Sequence, residues 1–538
     1  MIARCGTALS DGGAVAVIGN GPVGQTTALL LARWGVRVLL LDRRPARDVA
    51  GSRSICQQRD VLDIWASVGA ERIAREGLAW TTARTFYRER ELFSWTFADP
   101  GSSALPPCVN ISQSRTEAIL DERIADEPLI DVRWGHEVTG ISQDGTGVTL
   151  TGDTGSLRAE YAVLCAGARA ESLRRQLGVT FDGESFADRF LICDIRADLP
   201  GWETERRFFF DPAWNPDRQV LIHPCPDSTY RIDWQVPADF DAGAERADGR
   251  LDARIRQIIA DRPYELEWQS VYRFQSRCAD RMRAGRVLLA GDCAHLYAPF
   301  GARGLNSGVP DAENAAWKLA FVLHGWAPPE LLESYHVERH AAALENLAVT
   351  SATMRFLVPP DEEQWERRRR LLDAAVADPA KVAEVDSGRF AEPFWYVDSP
   401  LTMPDATRPF GGRPPRGQLP APGPGILVPD VPVAGGGRLR ALVRDGLLLL
   451  TTDRPGTGAE VPATATSAPQ RVLGLTDLGV DPSVLGARPG EAWLIRPDGY
   501  VSAVLADPSP ESVGAAVRRT LCGERTVAPT TDAPAGQV

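Results

Sequence analysis

At 538 residues the chain is longer than one typical domain and points to two or three. Its 44% hydrophobic and 24% charged content is ordinary for a globular protein, and no apolar run approaches the length of a membrane span. A net charge of −12 argues against nucleic acid as a partner, and nine cysteines without a C-x-x-C pair argue against a disulfide framework or a zinc site.

Residues 14–18 (AVAVI) read as a buried parallel strand and 22–34 as an apolar helix, with Gly19-x-Gly21-x-x-Gly24 between them. In that order the first glycine allows the turn and the second lets the backbone approach a pyrophosphate. The third lets the helix pack closely, and phosphate charge meets the helix N-terminus. The next strand, 37–41, ends in Asp42, at the spacing where a carboxylate accepts bonds from ribose hydroxyls. Helices are expected near 60–68 and 114–125, then strands at 137–143, 147–151 and 157–164 that lead back into the parallel sheet. From 189 to 237 the pattern is that of an antiparallel sheet, followed by a helix near 251–259 and strands at 267–274 and 286–290. Helices are expected at 309–323 and from 329 to about 356. Residues 397–437 are too rich in proline and glycine for a helix or central strand, and beyond them short strands suggest a small α/β domain. The last residues read as disordered.

The strand at 286–290 delivers a second motif, GDCAHLYAPFGARGLNSGVPDAENAAWKLA (291–320), whose later part is the helix expected at 309. Unpaired N–H groups at that helix start would face an electron-rich ring, and negative charge developing there would be stabilised by up to about 2 kcal/mol. Asp292 is placed to accept bonds from ribityl hydroxyls, Pro299 and Gly301 keep the loop thin, and Asn306 offers its amide to a carbonyl and imide edge. The two motifs together mark a flavin-binding fold. Arg303 lies inside the same loop and could meet a substrate carboxylate, the ring or a structural acid. His295 reads as a structural residue. His336 and His340, at i, i+4, lack a third ligand, so no metal site is expected.

With these motifs in place the chain resembles the flavoprotein aromatic hydroxylases of the p-hydroxybenzoate hydroxylase fold, closest to the 3-(3-hydroxyphenyl)propionate hydroxylase type, over residues 14 to about 360. The resemblance implies an α/β chain with a Rossmann-like FAD-binding domain (14–188 and 281–360), an inserted antiparallel substrate-binding sheet (189–280), a helical segment and Pro/Gly-rich linker (361–437), a thioredoxin-like C-terminal domain (438–523) and a tail (524–538). It implies that FAD is held by Gly19, Gly21, Pro22, Val23, Gly24, Asp42, Arg43, Arg53, Gln113, Gly291, Asp292, Pro299, Gly301, Gly304, Leu305 and Asn306. Cys522 lacks a partner in the C-terminal segment, which speaks against redox chemistry there. Ala166 stands where the family carries an aspartate linked to flavin and nicotinamide binding.

The implied reaction is reduction of FAD by NADPH or NADH, formation of a flavin 4a-hydroperoxide with O2, and hydroxylation of a phenolic or polycyclic aromatic substrate. The alternatives are a flavin oxidase or reductase, or a Baeyer–Villiger-type oxygenase, on the same fold. A phenol of pKa near 10 costs about 4 kcal/mol to ionise at pH 7. Acceptors are therefore expected on the hairpin LIHPCPDSTYRIDW, where His223, Tyr230 and Asp233 are candidates, although polar strand residues are more often surface or cross-strand partners. A cytoplasmic enzyme without membrane attachment is expected, with a homodimer among the candidate assemblies.

Overall fold

The computed structural model describes residues 15–48, 54–96, 103–415, 418–452 and 465–522. Arg53 and the expected tail lie outside them. The chain divides into two compact units, one formed by Met1–Leu323, Arg339–Phe394 and Pro415–Gln418, the other by His324–Glu338, Trp395–Pro414 and Leu419–Val538.

The first unit contains a six-stranded sheet in the order Arg283–Ala284, Val287–Leu289, Tyr161–Leu164, Val15–Ile18, Val38–Asp42, Ile130–Trp134. All neighbours are parallel except the first pair. The VAVI, VLLLD and YAVL runs are buried throughout, as strands covered on both faces must be. The strand expected at 157–164 is two strands. Gly155–Ala159 closes a three-stranded meander, and Tyr161–Leu164 enters the parallel sheet beside Val15–Ile18.

An eight-stranded sheet is built around two long strands, Phe181–Ala197 and Tyr264–Ala279, which run antiparallel from the pair Phe181/Ala279 to the pair Ala197/Tyr264. Seventeen residues at roughly 3.3 Å each span about 55 Å, and the sheet still reaches the loop after Asp292 through its edge strand His295–Leu296. The sheet also recruits the hairpin Thr82–Tyr87/Arg90–Thr96, which pairs in parallel with Glu205–Phe210. Side chains alternate between its faces. Ile195, Val220, Ile222, Tyr230, Ile232 and Trp234 pack with Leu251, Ile255 and Ile259 of helix Arg250–Ile259. On the opposite, inner face Phe190, Phe208, Phe210, Leu221 and Phe274 pack with Ala298 and Phe300 of the loop after Asp292.

The helix expected at 309 begins six residues earlier and runs Arg303–Leu323 with Pro310 inside it. The stretch RGLNSG has poor helix propensity, and tertiary packing overrides it. A Cβ on Gly308 would lie 2.7 Å from Val23 Cγ2 and 3.2 Å from Gly291 Cα, so this turn is pressed against the fingerprint helix Pro22–Arg33.

In the second unit a four-stranded sheet has the order Gln470–Gly474, Leu447–Thr451, Ala492–Ile495, Val501–Leu505, with only the first pair parallel. Helices Leu439–Val443 and Pro510–Cys522 accompany it. Arg496 is fully buried between Glu338 and Asp498 and lies 5.0 Å from the Tyr396 ring centroid. No helix of the described residues is long and apolar enough to cross a membrane.

The early helix start separates two glycines that a loop would treat alike. A Cβ on Gly304 meets nothing within 4 Å, so Gly304→Ala is expected to stabilise the FAD-free protein by about 0.5–1 kcal/mol. Gly308→Ala is expected to destabilise it by about 1–3 kcal/mol. Chemical-denaturation midpoints check both signs; equal shifts would contradict a helix beginning at Arg303.

Candidate functional site

Three strands of the parallel sheet, Val15–Ile18, Tyr161–Leu164 and Val287–Leu289, deliver Gly19, Ala166 and Gly291 to one edge. Gly19 has φ +111°, and a Cβ there would stand 2.3 Å from the Cys165 carbonyl oxygen. A Cβ on Gly24 would stand 1.8 Å from the Gly19 carbonyl oxygen, so the helix can approach its strand only as glycine. Gly21 differs. Nothing lies within 4 Å of its added Cβ, and it caps helix Pro22–Arg33 without a side-chain hydrogen bond. Beside it the Asn20 Nδ2 is buried with no acceptor from the protein. An uncapped helix start, an open glycine and an orphaned amide are the cradle a pyrophosphate requires. Pro22 and Val23 open the helix, and Val23 Cγ2 would be 3.0 Å from a Cβ on Gly291, which has φ +66°. The two sequence motifs therefore touch through Val23.

Asp42 ends its strand as expected, but its carboxylate is already engaged by the protein. It accepts from Asn20 N–H at 2.8 Å and from Arg44 through the backbone N–H and the guanidinium. Burial pushes this carboxyl up, and the Arg44 and Asn20 bonds outweigh it, holding it below the usual range. Arg47, which sequence reasoning missed, donates to the Asn20 carbonyl and side chain and to Glu117 and Asp121 of helix Gln113–Ala125. Arg43 is exposed. Gln113 starts that helix, accepts from Ser54 N–H at 3.3 Å and donates to Glu117 at 2.8 Å.

At the other motif Asp292 is exposed within the short turn Gly291–Cys293. That turn is held by Asp311, a residue of the second motif to which sequence reasoning gave no role. Its carboxylate accepts from Gly291 N–H at 2.9 Å, bonds His295 Nε2 at 2.7 Å and accepts from Arg339 at 2.6 Å. Burial pushes Asp311 up, but Arg339 and His295 outweigh it and keep it ionised. His295 is thus structural, as the sequence suggested. Pro299 is exposed, and Gly301 has φ +88° with its missing Cβ only 2.1 Å from the Arg389 carbonyl oxygen.

Two residues expected to face a ligand are turned to the backbone instead. Arg303 is buried, donating to the Arg389 and Phe390 carbonyls at 3.1 and 3.2 Å and to Asn346, so it straps the 389–390 segment to the loop. Asn306 donates to the Cys56 and Ala302 carbonyls at 2.9 and 2.7 Å and accepts from Gln58 N–H at 3.0 Å. With the helix beginning at Arg303, the unpaired N–H groups lie around Gly304 and half-buried Leu305, not at Val309. Gln57, next to the strand residues that Asn306 grips, is wholly buried with neither amide atom partnered. Near Ala302 the wall is apolar: Cys56, Trp80, Ala83 and Cys108 pack with Trp95 and Phe390.

Strand parity separates the hairpin candidates. Tyr230 packs on the outer face with helix Arg250–Ile259 and donates to the Leu199 carbonyl, so it is a core residue turned away from His223 and Asp233 and not the site acceptor expected. His223, Arg231 and Asp233 alternate with that core and share the inner face with Leu221. Arg231 is paired with Asp194 at 2.8 Å through two nitrogens. His223 Nε2 lies 3.8 Å from Asp233 Oδ2, while His223 Nδ1 and Asp233 Oδ1 are buried without partners. Burial, then Arg206 and Arg231, depresses the His223 imidazole well below its ordinary value. Burial raises the Asp233 carboxyl to about 7.

Comparison with known proteins agrees with this geometry. The FAD binding domain model matches residues 13–350. The 3-(3-hydroxy-phenyl)propionate/3-hydroxycinnamic acid hydroxylase of Mycobacterium sp. (strain JLS) is 30% identical over 400 residues, covering 73% of this chain and 69% of that protein. The rifampicin monooxygenase of Streptomyces venezuelae is 32% identical over 363 residues, covering 66% of this chain and 74% of that protein. In fold, the chain is similar to the ternary complex of aklavinone-11 hydroxylase with FAD and aklavinone, with a TM-score of 0.76 at 24% identity, over 95% of this chain and 100% of that one. The chain therefore belongs to the FAD-binding-domain family and is a FAD-dependent monooxygenase.

Proposed function

We propose that the chain hydroxylates a phenolic aromatic ring bound against the inner face of the eight-stranded sheet, with NAD(P)H and O2 as co-substrates. The observation that carries this reading is the pair of orphaned buried atoms, His223 Nδ1 and Asp233 Oδ1, on the face that also packs against the loop after Asp292. Buried polar groups without partners cost free energy unless a ligand satisfies them. Bound FAD supplies two-electron reduction and activation of O2. The chain's residues would hold it: Gly19, Gly21 and Gly24 would shape the pyrophosphate cradle, Asp292 would accept from ribityl hydroxyls, and Gly304 and Leu305 would offer N–H groups to the ring. Trp80, Trp95 and Phe390 keep the space beside Ala302 dry.

The phenol proton is the main charge the site must manage. Neutral His223 accepts at Nδ1, and Asp233 is able to take the proton once ionised, while Arg231 and Arg206 favour the resulting negative charge.

A purified FAD-loaded sample should consume NAD(P)H slowly alone and much faster with a suitable phenol, incorporating one atom of labelled O2 into the product. Stoichiometric hydrogen peroxide, with or without phenol, would instead describe an oxidase.

Because Asp233 is the base only when ionised, kcat/KM is expected to rise with pH through about 7. Asp233→Asn should flatten that limb and lower kcat by about 10²-fold, within the usual range for a positioned base. Tyr230→Phe, changed on the outer face, should keep the limb; a Tyr230→Phe variant that loses it would refute the assignment.

A further inference from the structure

The Asp42 carboxylate has no acceptor capacity to spare. Its Oδ1 accepts from Arg44 N–H at 2.8 Å and Arg44 Nε at 3.0 Å, and its Oδ2 from Asn20 N–H at 2.8 Å and Arg44 Nη2 at 3.0 Å. A carboxylate has about four acceptor positions, so all are taken by the protein's own donors. A ribose hydroxyl that donates to Asp42 has to displace one of them. Two are backbone N–H groups, fixed by the fingerprint turn and the strand end. The other two belong to one guanidinium on a partly exposed side chain, and only that group is able to leave.

Its surroundings offer places to go. Arg44 Nη2 also donates to the Asn20 carbonyl at 3.1 Å, Nη1 is 3.6 Å from exposed Asp48, and the guanidinium is 5.7 Å from the Trp134 ring centroid. Arg47 is different in kind. It is bound to Asn20, Glu117 and Asp121 at once, and it fixes the loop.

We propose that Arg44 competes with the adenosine ribose of FAD for Asp42, so that cofactor loading exchanges guanidinium hydrogen bonds for hydroxyl hydrogen bonds. Arg44 then weakens FAD binding, against the usual expectation for a cation beside a dinucleotide. The inference rests on the reading of this edge as the FAD site.

The test is cofactor binding by the deflavinated full chain, followed by flavin fluorescence, with FAD and with FMN, which lacks the adenosine. Arg44→Ala is expected to lower the Kd for FAD about five-fold, the equivalent of one net hydrogen bond, and to leave the Kd for FMN unchanged. Arg44→Lys keeps the charge but cannot bridge both carboxylate oxygens, and should tighten FAD by less. Asp42→Asn should weaken FAD. An Arg44→Ala protein that binds FAD no better than wild type, or that shifts FAD and FMN together, overturns the competition while leaving the FAD site standing. A wild-type chain that binds no FAD overturns both.

Discussion

The site depends on a steric constraint: the fingerprint helix has to lie against both its own strand and a helix almost 300 residues later. Gly24 allows the first contact, because any Cβ there would collide with the Gly19 carbonyl. Gly291 and Gly308 allow the second, because Val23 fills the space their side chains would need. Neither motif makes a cradle alone. Once they touch, two helix starts, at Gly21 and at Arg303–Leu305, flank one sheet edge and favour negative charge at both.

Buried charge then fixes what packing brings together. Buried Asp311 bonds Arg339, His295 and the Gly291 N–H at once, and Arg47 ties Asn20 to helix Gln113–Ala125. Such clusters are expensive to break, since removing one partner leaves an uncompensated buried charge. The substrate face is organised differently. Arg231 is matched by Asp194, whereas His223 and Asp233 keep atoms unsatisfied at a face lined by Phe208 and Phe300. Of the three charged or ionisable side chains His223, Arg231 and Asp233 on this face, Arg231 is matched within the protein, and the other two each keep a buried atom without a partner.

Much of this was legible in the sequence. The glycine spacing, the apolar strands before each motif and the acid at Asp42 are local patterns with local causes, and the structure places them as read. What was missed depends on distant partners. The RGLNSG stretch reads as loop because its propensity is poor, yet contact with Val23 winds it into helix. The hairpin Thr82–Tyr87/Arg90–Thr96 was hidden by its charges, although the buried alternation of Ala83, Thr85 and Tyr87 was there to find. Arg303 and Asn306 sit in the first turn of helix Arg303–Leu323 and bond backbone carbonyls of neighbouring segments. Tyr230 could have been set aside from sequence alone: three residues from Asp233 on one strand, it must face the other way.

Residues near Asp42 and residues near Gly304 are proposed to hold opposite ends of one FAD molecule. A crystal structure of the chain with FAD bound tests this. The adenosine ribose is expected within hydrogen-bonding distance of Asp42, the pyrophosphate over Gly21 and the isoalloxazine edge against the N–H groups of Gly304 and Leu305. An isoalloxazine lying away from the start of helix Arg303–Leu323, or an adenosine away from Asp42, would contradict it.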